Sequence, residues 1–178
     1  RVLVDPLDRN YNLALYKLAW AYYRAFRYPE AVRNFAALVE WSDQEEKRTG
    51  RAGSELRAEA VQYLAIAFAY DDWNENQVPD PQEGGATGLQ RLQDPALLAQ
   101  DRPWTPEVYQ ALGDVWFDEA KYPQAVEVWT LALKRWPNNP KAPAIQNSIA
   151  RAHNRANDQE KAILARAQLG NYVEGSAW

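Results

Sequence analysis

The chain is 178 residues long, 47% hydrophobic and 25% charged, a globular profile that excludes an intrinsically disordered segment. Its formal charge of −4 gives no electrostatic reason to bind nucleic acid, and no apolar run approaches the roughly 20 residues of a membrane span. With no cysteine, it has neither a disulfide framework nor a thiolate metal site.

From the N-terminal side, residues 15–22 place Leu15, Leu18, Ala19 and Tyr22 on one helical stripe. The turn Tyr28-Pro29-Glu30-Ala31-Val32 then leads into a second helix carrying Phe35. Residues 109–129 align with this segment without gaps. There Tyr109, Leu112, Gly113 and Trp116 form the stripe, Tyr122-Pro123-Gln124-Ala125-Val126 the turn, and Trp129 stands in the place of Phe35. Between the two copies, Val61, Leu64, Ala65 and Phe68 repeat the stripe and are followed by Asp72-Trp73-Asn74. After them, Ile149, Ala150 and His153 repeat it once more, with a further inter-helix turn over 157–163. Acids dominate between Asp71 and Glu127, and basic residues from Lys134 to Arg166, a gradient that two solvated faces of opposite sign explain.

This pattern resembles the tetratricopeptide repeat, and residues 109–137 carry the most complete copy: Tyr109, Leu112, Gly113, Trp116, Tyr122, Ala125, Trp129, Ala132 and Pro137. Gly113 and Ala125 are small where the two helices of a pair cross, and the aromatics fill the space between pairs. Pro137 ends the second helix, and Asn138-Asn139-Pro140 makes the turn. The resemblance implies an all-α superhelix, a solenoid of about four antiparallel helix pairs forming one domain over 1–178. Repeat starts near 12, 58, 106 and 143 are separated by 46, 48 and 37 residues. The family's unit is about 34 residues, so insertions are expected near 43–55 and 74–104. The second repeat's second helix is expected to shrink to about 86–100, interrupted at Pro95.

No convergent acid, base and nucleophile set is present, so an enzyme is not expected and no cofactor is called for. His153, the single histidine, lies on an apolar stripe and reads as a packed structural residue. One spacing suggests calcium. Asp72, Asn74, Asn76, Val78, Asp80 and Glu83 occupy the oxygen-donor places of a twelve-residue EF-hand loop. Against it, Gln77 replaces the sharp-turn glycine, Pro79 breaks the strand position, and Gly84-Gly85 follows in place of a helix. Calcium is therefore the lesser reading and chance spacing the greater.

The tetratricopeptide resemblance implies that first helices line a concave, partner-binding face. Its inner positions fall on Leu13, Tyr16, Trp20, Tyr23 and Arg24, then on Glu59, Gln62, Ile66, Ala69 and Tyr70. They continue with Glu107, Gln110, Asp114, Phe117 and Asp118, and end with Ala144, Asn147, Arg151, Asn154 and Arg155. Trp20 stands where the carboxylate-clamp subfamily needs an early Asn, which disfavours a clamp. Aromatic anchors such as Tyr16, Trp20, Tyr23 and Phe117 favour a peptide with apolar side chains; packing between repeats is the competing role for Trp20 and Tyr23. The expected function is a scaffold holding a protein or peptide partner. The alternatives are an accessory arm of a larger enzyme and a structural subunit that assembles through its ends.

Irregular repeats with long linkers resemble the solenoids of bacterial envelope assembly lipoproteins. Lack of cysteine suits an oxidising compartment, so periplasm or envelope is expected over cytoplasm. The start at Arg1 without methionine, and the apolar end at Tyr172–Trp178, lead us to expect a piece of a longer protein with further repeats.

Overall fold

A computed structural model describes residues 5–8 and 10–172. The described residues form an all-α protein: α1 (Tyr11–Arg24), α2 (Tyr28–Thr49), α3 (Arg57–Ala69), α4 (Gly88–Gln93), α5 (Thr105–Asp118), α6 (Tyr122–Arg135), α7 (Ala142–Arg155) and α8 (Gln159–Ala167), with 3₁₀ turns over Asp80–Glu83 and Gln168–Tyr172. No strand occurs among the described residues. The chain divides into two compact units within α5, one ending at Val108 and one beginning at Tyr109. The expectation for the apolar tail from Val173 to Trp178 lies outside the described residues.

In the first unit, α1 and α2 form an antiparallel hairpin. Ring pairs fix the direction, because Tyr11 meets Trp41, Tyr16 meets Phe35 and Tyr23 meets Tyr28. Leu15 and Ala19 of α1 pack on Ala31, Val32, Phe35, Leu38 and Val39 of α2, and α3 adds Ala60, Val61, Leu64 and Phe68. Ala19 and Ala31 are wholly buried, as close helix crossing requires. Helix α2 continues through the first half of the expected 43–55 insertion. Its polar run 44–48 contains no breaker, Glu45 pairs with Arg48 one turn on, and Gly50 in the left-handed conformation ends the helix at φ 70°. Only 50–56 is a connection. Gly53 there lies so close to α2 that an added Cβ would stand 2.1 Å from the Ser42 carbonyl oxygen.

The second repeat's second helix, expected over about 86–100 with an interruption at Pro95, is the six-residue α4. Helix α4 starts at a capping box, in which the Thr87 hydroxyl accepts from Gln90 N–H and the Gln90 side chain accepts from Thr87 N–H. It ends before Asp94-Pro95, where the proline lacks the N–H that would continue it. The chain then returns to α5 through Leu98 and Trp104, both buried. Trp104 Nε1 donates to Glu40 of α2 at 2.8 Å, and Arg57 of α3 is paired with both Asp43 of α2 and Glu107 of α5.

In the second unit, α5 pairs with α6 and α7 with α8. Phe117 meets Tyr122 at one end of the first hairpin, and Tyr109 Oη accepts from Arg135 at the other. In the second hairpin Gln146 Nε2 donates to the Ala165 carbonyl at 2.9 Å. Val128, Trp129 and Ala132 of α6, Ile145, Ile149 and Ala152 of α7, and Ala162 and Ala165 of α8 are buried. The starts of α1, α3, α5 and α7 fall one residue before the expected repeat starts.

The turns expose a repeat that composition hides. The three residues joining each hairpin place their middle member in the left-handed region: Phe26 at φ 60°, Ala120 at 59° and Asn157 at 64°. In each, the next residue's N–H returns to a carbonyl five positions earlier, Arg27 to Tyr22, Lys121 to Trp116 and Asp158 to His153. This is the bonding of a Schellman end, which satisfies carbonyls that the first helix leaves open. Helix α3 ends differently, with Tyr70 extended at ψ 124°.

Candidate functional site

In the first unit, the aromatic residues expected on the inner face form a cluster with one another. Trp20 lies 4.4 Å from Tyr63 between ring centroids and 5.6 Å from Tyr23, and Tyr23 in turn touches Tyr28 and Tyr63. Tyr16 Oη donates to Glu59 at 2.7 Å and its ring meets Trp20 and Phe35 edge-on. Burial is the main cause that raises the Tyr16 and Tyr23 hydroxyls above the ordinary tyrosine range. All three side chains are half-buried, and their ring contacts join α1, α2 and α3. The residues that remain on the surface are Leu13, Arg24, Gln62 and Tyr70. Tyr70 still touches Tyr28, at 5.0 Å between centroids.

The acid-rich loop after α3 is organised by its own hydrogen bonds and not as a ligand cage. The Asp72 carboxylate accepts from Asn76 and Gln77 backbone N–H groups, and Asn74 Oδ1 also accepts from Asn76 N–H. Asn76 Oδ1 accepts from Val78 N–H, and Glu83 accepts from the Asn76 side-chain amide at 2.7 Å. Asp80 is turned inward, accepting from Trp73 N–H, the Asn74 amide and Arg91 of α4. Arg91 is 5% exposed, donates to the Tyr70 carbonyl at 2.8 Å, and lies over the Trp73 ring at 4.5 Å. The calcium spacing is thus taken up by Asx turns and one buried ion pair. Among the described residues no group of three or more His, Asp or Glu side chains could hold a metal ion.

In the second unit, the inner-face residues behave differently. Along α7, Ala144, Asn147, Arg151, Asn154 and Arg155 are all exposed on one stripe, while Ile145, Gln146, Ile149, Ala150 and Ala152 are buried on the other. Asp114 and Asp118 of α5, one turn apart, are exposed too. Between the two helices lies a hollow of about 220 Å³, walled by Asp114, Phe117 and Asp118 on α5 and by Ser148 and Arg151 on α7, with Trp129 of α6 at its floor. The Arg151 guanidinium sits over the Phe117 ring at 5.1 Å. Arg151 makes no ion pair with either carboxylate among the described residues.

Loss of hydration in this hollow, followed by the neighbouring Asp118 charge, pushes the Asp114 carboxyl up to about 6. Lys141, Arg151 and a hydrogen bond from Gln110 act in the opposite direction. Gln110 is half-buried; its Oε1 is screened from solvent and has no hydrogen-bond donor. His153 is half-buried and lines a different concavity, about 450 Å³, with Leu133, Ile149 and Leu164.

Of the sequence-derived inner positions, the structure brings Asp114, Phe117 and Arg151 to one hollow, leaves Asn147, Asn154 and Arg155 on the adjoining stripe, and packs Tyr16, Trp20 and Tyr23 into a cluster. The sequence reading missed Ser148 and Trp129 as lining residues. Trp129 was legible only as core, because nothing in spacing says that Gly113 opens a path for its indole edge.

The chain matches no protein-family model and no curated protein sequence. No helix among the described residues is long and apolar enough to cross a membrane.

Proposed function

We propose that this chain is a protein-binding scaffold built from tetratricopeptide-like helix pairs, and that the exposed stripes of its first helices receive the partner. One observation carries the reading. The α7 stripe Asn147, Arg151, Asn154 and Arg155 faces solvent beside the Asp114–Asp118 hollow, and its polar groups serve little inside the chain beyond a 3.2 Å bond from Gln159 to Asn154. Polar side chains held on rigid helices and open to solvent are placed to pair with a second molecule. The left-handed turns at Phe26, Ala120 and Asn157 support the repeat part of the reading, since all three hairpins are joined by three residues with the middle one at positive φ.

An envelope assembly in a bacterium is the setting this proposal favours, on the irregular repeat lengths and the absence of cysteine. Fractionation of the full gene product tests the compartment.

The binding reading is tested by steric block. Asn147→Trp with Asn154→Trp fills the α7 stripe, whereas Thr130→Trp with Ile163→Trp fills exposed sites on α6 and α8. A partner cross-linked and recovered by the native chain is expected to be lost with the first pair and kept with the second. Loss with both pairs, or with neither, overturns the assignment of the face.

A further inference from the structure

We infer that the concavity between α6, α7 and α8 is a binding site for a small N-acylated amino acid with an aliphatic side chain and a free carboxylate. The site is separate from the exposed α7 stripe and does not rest on the scaffold reading. Its volume of about 450 Å³ falls within the roughly 300–1,000 Å³ of small-molecule sites. The repeat register shows how it arises. Counted back from the left-handed turn residues Phe26, Ala120 and Asn157, Gln146 stands where the earlier pairs carry Leu15 and Tyr109. By the same count His153 stands where they carry Tyr22 and Trp116. Leu15, Tyr109 and Trp116 are buried in the core. In the last pair both positions are polar, and both line the concavity.

Gln146 points to a ligand. It is 4% exposed, and its Nε2 donates to the Ala165 carbonyl at 2.9 Å and to Gln168 Oε1 at 3.0 Å. Both partners are acceptors, which assigns the nitrogen to that side of the amide and the oxygen to the other. Gln146 Oε1 accepts no hydrogen bond from a described residue, yet it is not sealed from solvent as Gln110 Oε1 is. For a side chain buried this deeply in the wall of the concavity, the concavity is the opening. Satisfying the last turn of α8 uses Nε2 alone, so the open acceptor serves nothing inside the chain. An N–H from a ligand meets it.

The rest of the wall selects the other two groups. Leu133, Ile149 and Leu164 give surface to an aliphatic side chain, and Leu164 is 58% exposed without one. Lys134 and Lys161 stand at the rim, and no acidic side chain lines the concavity among the described residues. Lys161 is held to Asp158 at 2.9 Å, which leaves its ammonium further donors, and Lys134 pairs with no described residue. In a chain of net charge −4, a wall with two lysines and no acid favours an anion. An acylated amino acid joins an amide N–H, an aliphatic group and a carboxylate in one small molecule. A free amino acid fits less well, because its own ammonium would face the lysines.

The test uses the whole chain and N-acetyl-leucine as the probe. Three counterparts each lack one group: N-acetyl-leucinamide the carboxylate, isocaproate the acylated amine, and N-acetylglycine the side chain. Two-dimensional NMR follows the Ile149 and Leu164 methyls and the Gln146 side-chain amide during titration at millimolar ligand. N-acetyl-leucine is expected to shift all three signals saturably and to bind about five-fold more tightly than each counterpart, the range of one hydrogen bond or one exposed ion pair. Lys134→Gln with Lys161→Gln is expected to remove the preference for the acid over the amide. Thr130 is exposed at the edge of the concavity, and Thr130→Trp is expected to abolish the shifts by filling it. No saturable shift, equal binding of N-acetyl-leucine and any one counterpart, or shifts that persist in Thr130→Trp overturns the site. Partner capture reads the α7 stripe, so failure of this site and failure of the scaffold reading appear in different experiments.

Discussion

Gly113 of α5 and Trp129 of α6 share one space: a Cβ on Gly113 would stand 2.1 Å from Trp129 Nε1. Because that Cβ is absent, the indole lies against the α5 backbone and donates to the Gln110 carbonyl at 3.1 Å. Trp129 is 1% exposed and has nowhere to move. Gly113→Ala therefore sets two effects against each other. Alanine gains about 1 kcal/mol of helix propensity over glycine. Overpacking a rigid core costs about 1–3 kcal/mol, and losing the indole hydrogen bond adds about 1 kcal/mol. The clash wins, so net destabilisation of about 1–3 kcal/mol is expected in urea unfolding, together with a displaced Trp129 indole signal. An unchanged midpoint would contradict the contact.

The left-handed turns give a prediction of opposite sign. Ala120 adopts φ 59° and Phe26 φ 60°, a region that costs a non-glycine residue about 1 kcal/mol or more. Glycine relieves the Cβ strain but widens the unfolded ensemble by about 0.4–1 kcal/mol. Ala120→Gly is expected to be neutral to stabilising by up to about 1 kcal/mol. Ala111→Gly, inside α5, is expected to destabilise by about 1 kcal/mol. Thermal melts of the two variants should move apart. If Ala120→Gly falls as far as Ala111→Gly, the turn geometry is wrong.

These two sites also show what the sequence could and could not reveal. Gly113 and Ala125 were readable as a close crossing, because size complementarity leaves its mark on residue type. The starts of α1, α3, α5 and α7 were readable within one residue, since stripe spacing and the proline-containing turns locate them. The left-handed turns at Phe26 and Ala120 were not, because neither residue is the glycine or asparagine that signals such a conformation. That residues 44–48 continue a helix was not legible, because the run carries charges without apolar stripe residues, and a solvated helix extension needs none. Trp20 and Tyr23 could not be separated into anchors or packing residues, for an aromatic at an inner position suits both. Tyr63, which meets both rings, lies about forty residues away and is not on the inner stripe at all.

The loop after α3 depends on a buried pair. Arg91 and Asp80 are both buried and bonded to each other, with Arg91 also holding the Tyr70 carbonyl and covering Trp73. Removing one partner leaves the other charge without compensation, at a cost of about 3–5 kcal/mol. Arg91→Met is expected to show that loss. Adding Asp80→Asn removes the orphaned charge while keeping an acceptor for Trp73 N–H and Asn74, so the double variant should regain much of it. A double-mutant cycle by chemical denaturation measures the coupling. Additive effects would mean that the two charges stabilise the loop independently.

Asp114 supplies a pH test of the hollow. Its ordinary value of 3.8 applies to the unfolded chain, whereas the folded carboxyl is pushed up to about 6, first by lost hydration and then by Asp118. Between these values the folded chain retains a proton that the unfolded chain has released. The contribution of Asp114 to stability is therefore fully present below pH 3.8 and is lost as pH rises through about 6. Asp114→Asn has no such titration and keeps the acceptor for Gln110. Its stability relative to the native chain should increase between pH 4 and pH 6.5 and then level off. The difference between the two chains isolates this group from Glu30, Glu45 and Asp158, whose carboxyls are held low by Arg27, Arg48 and Lys161 and whose pH dependence has the opposite sign. A flat difference across that window would mean that the Asp114 carboxylate is fully hydrated.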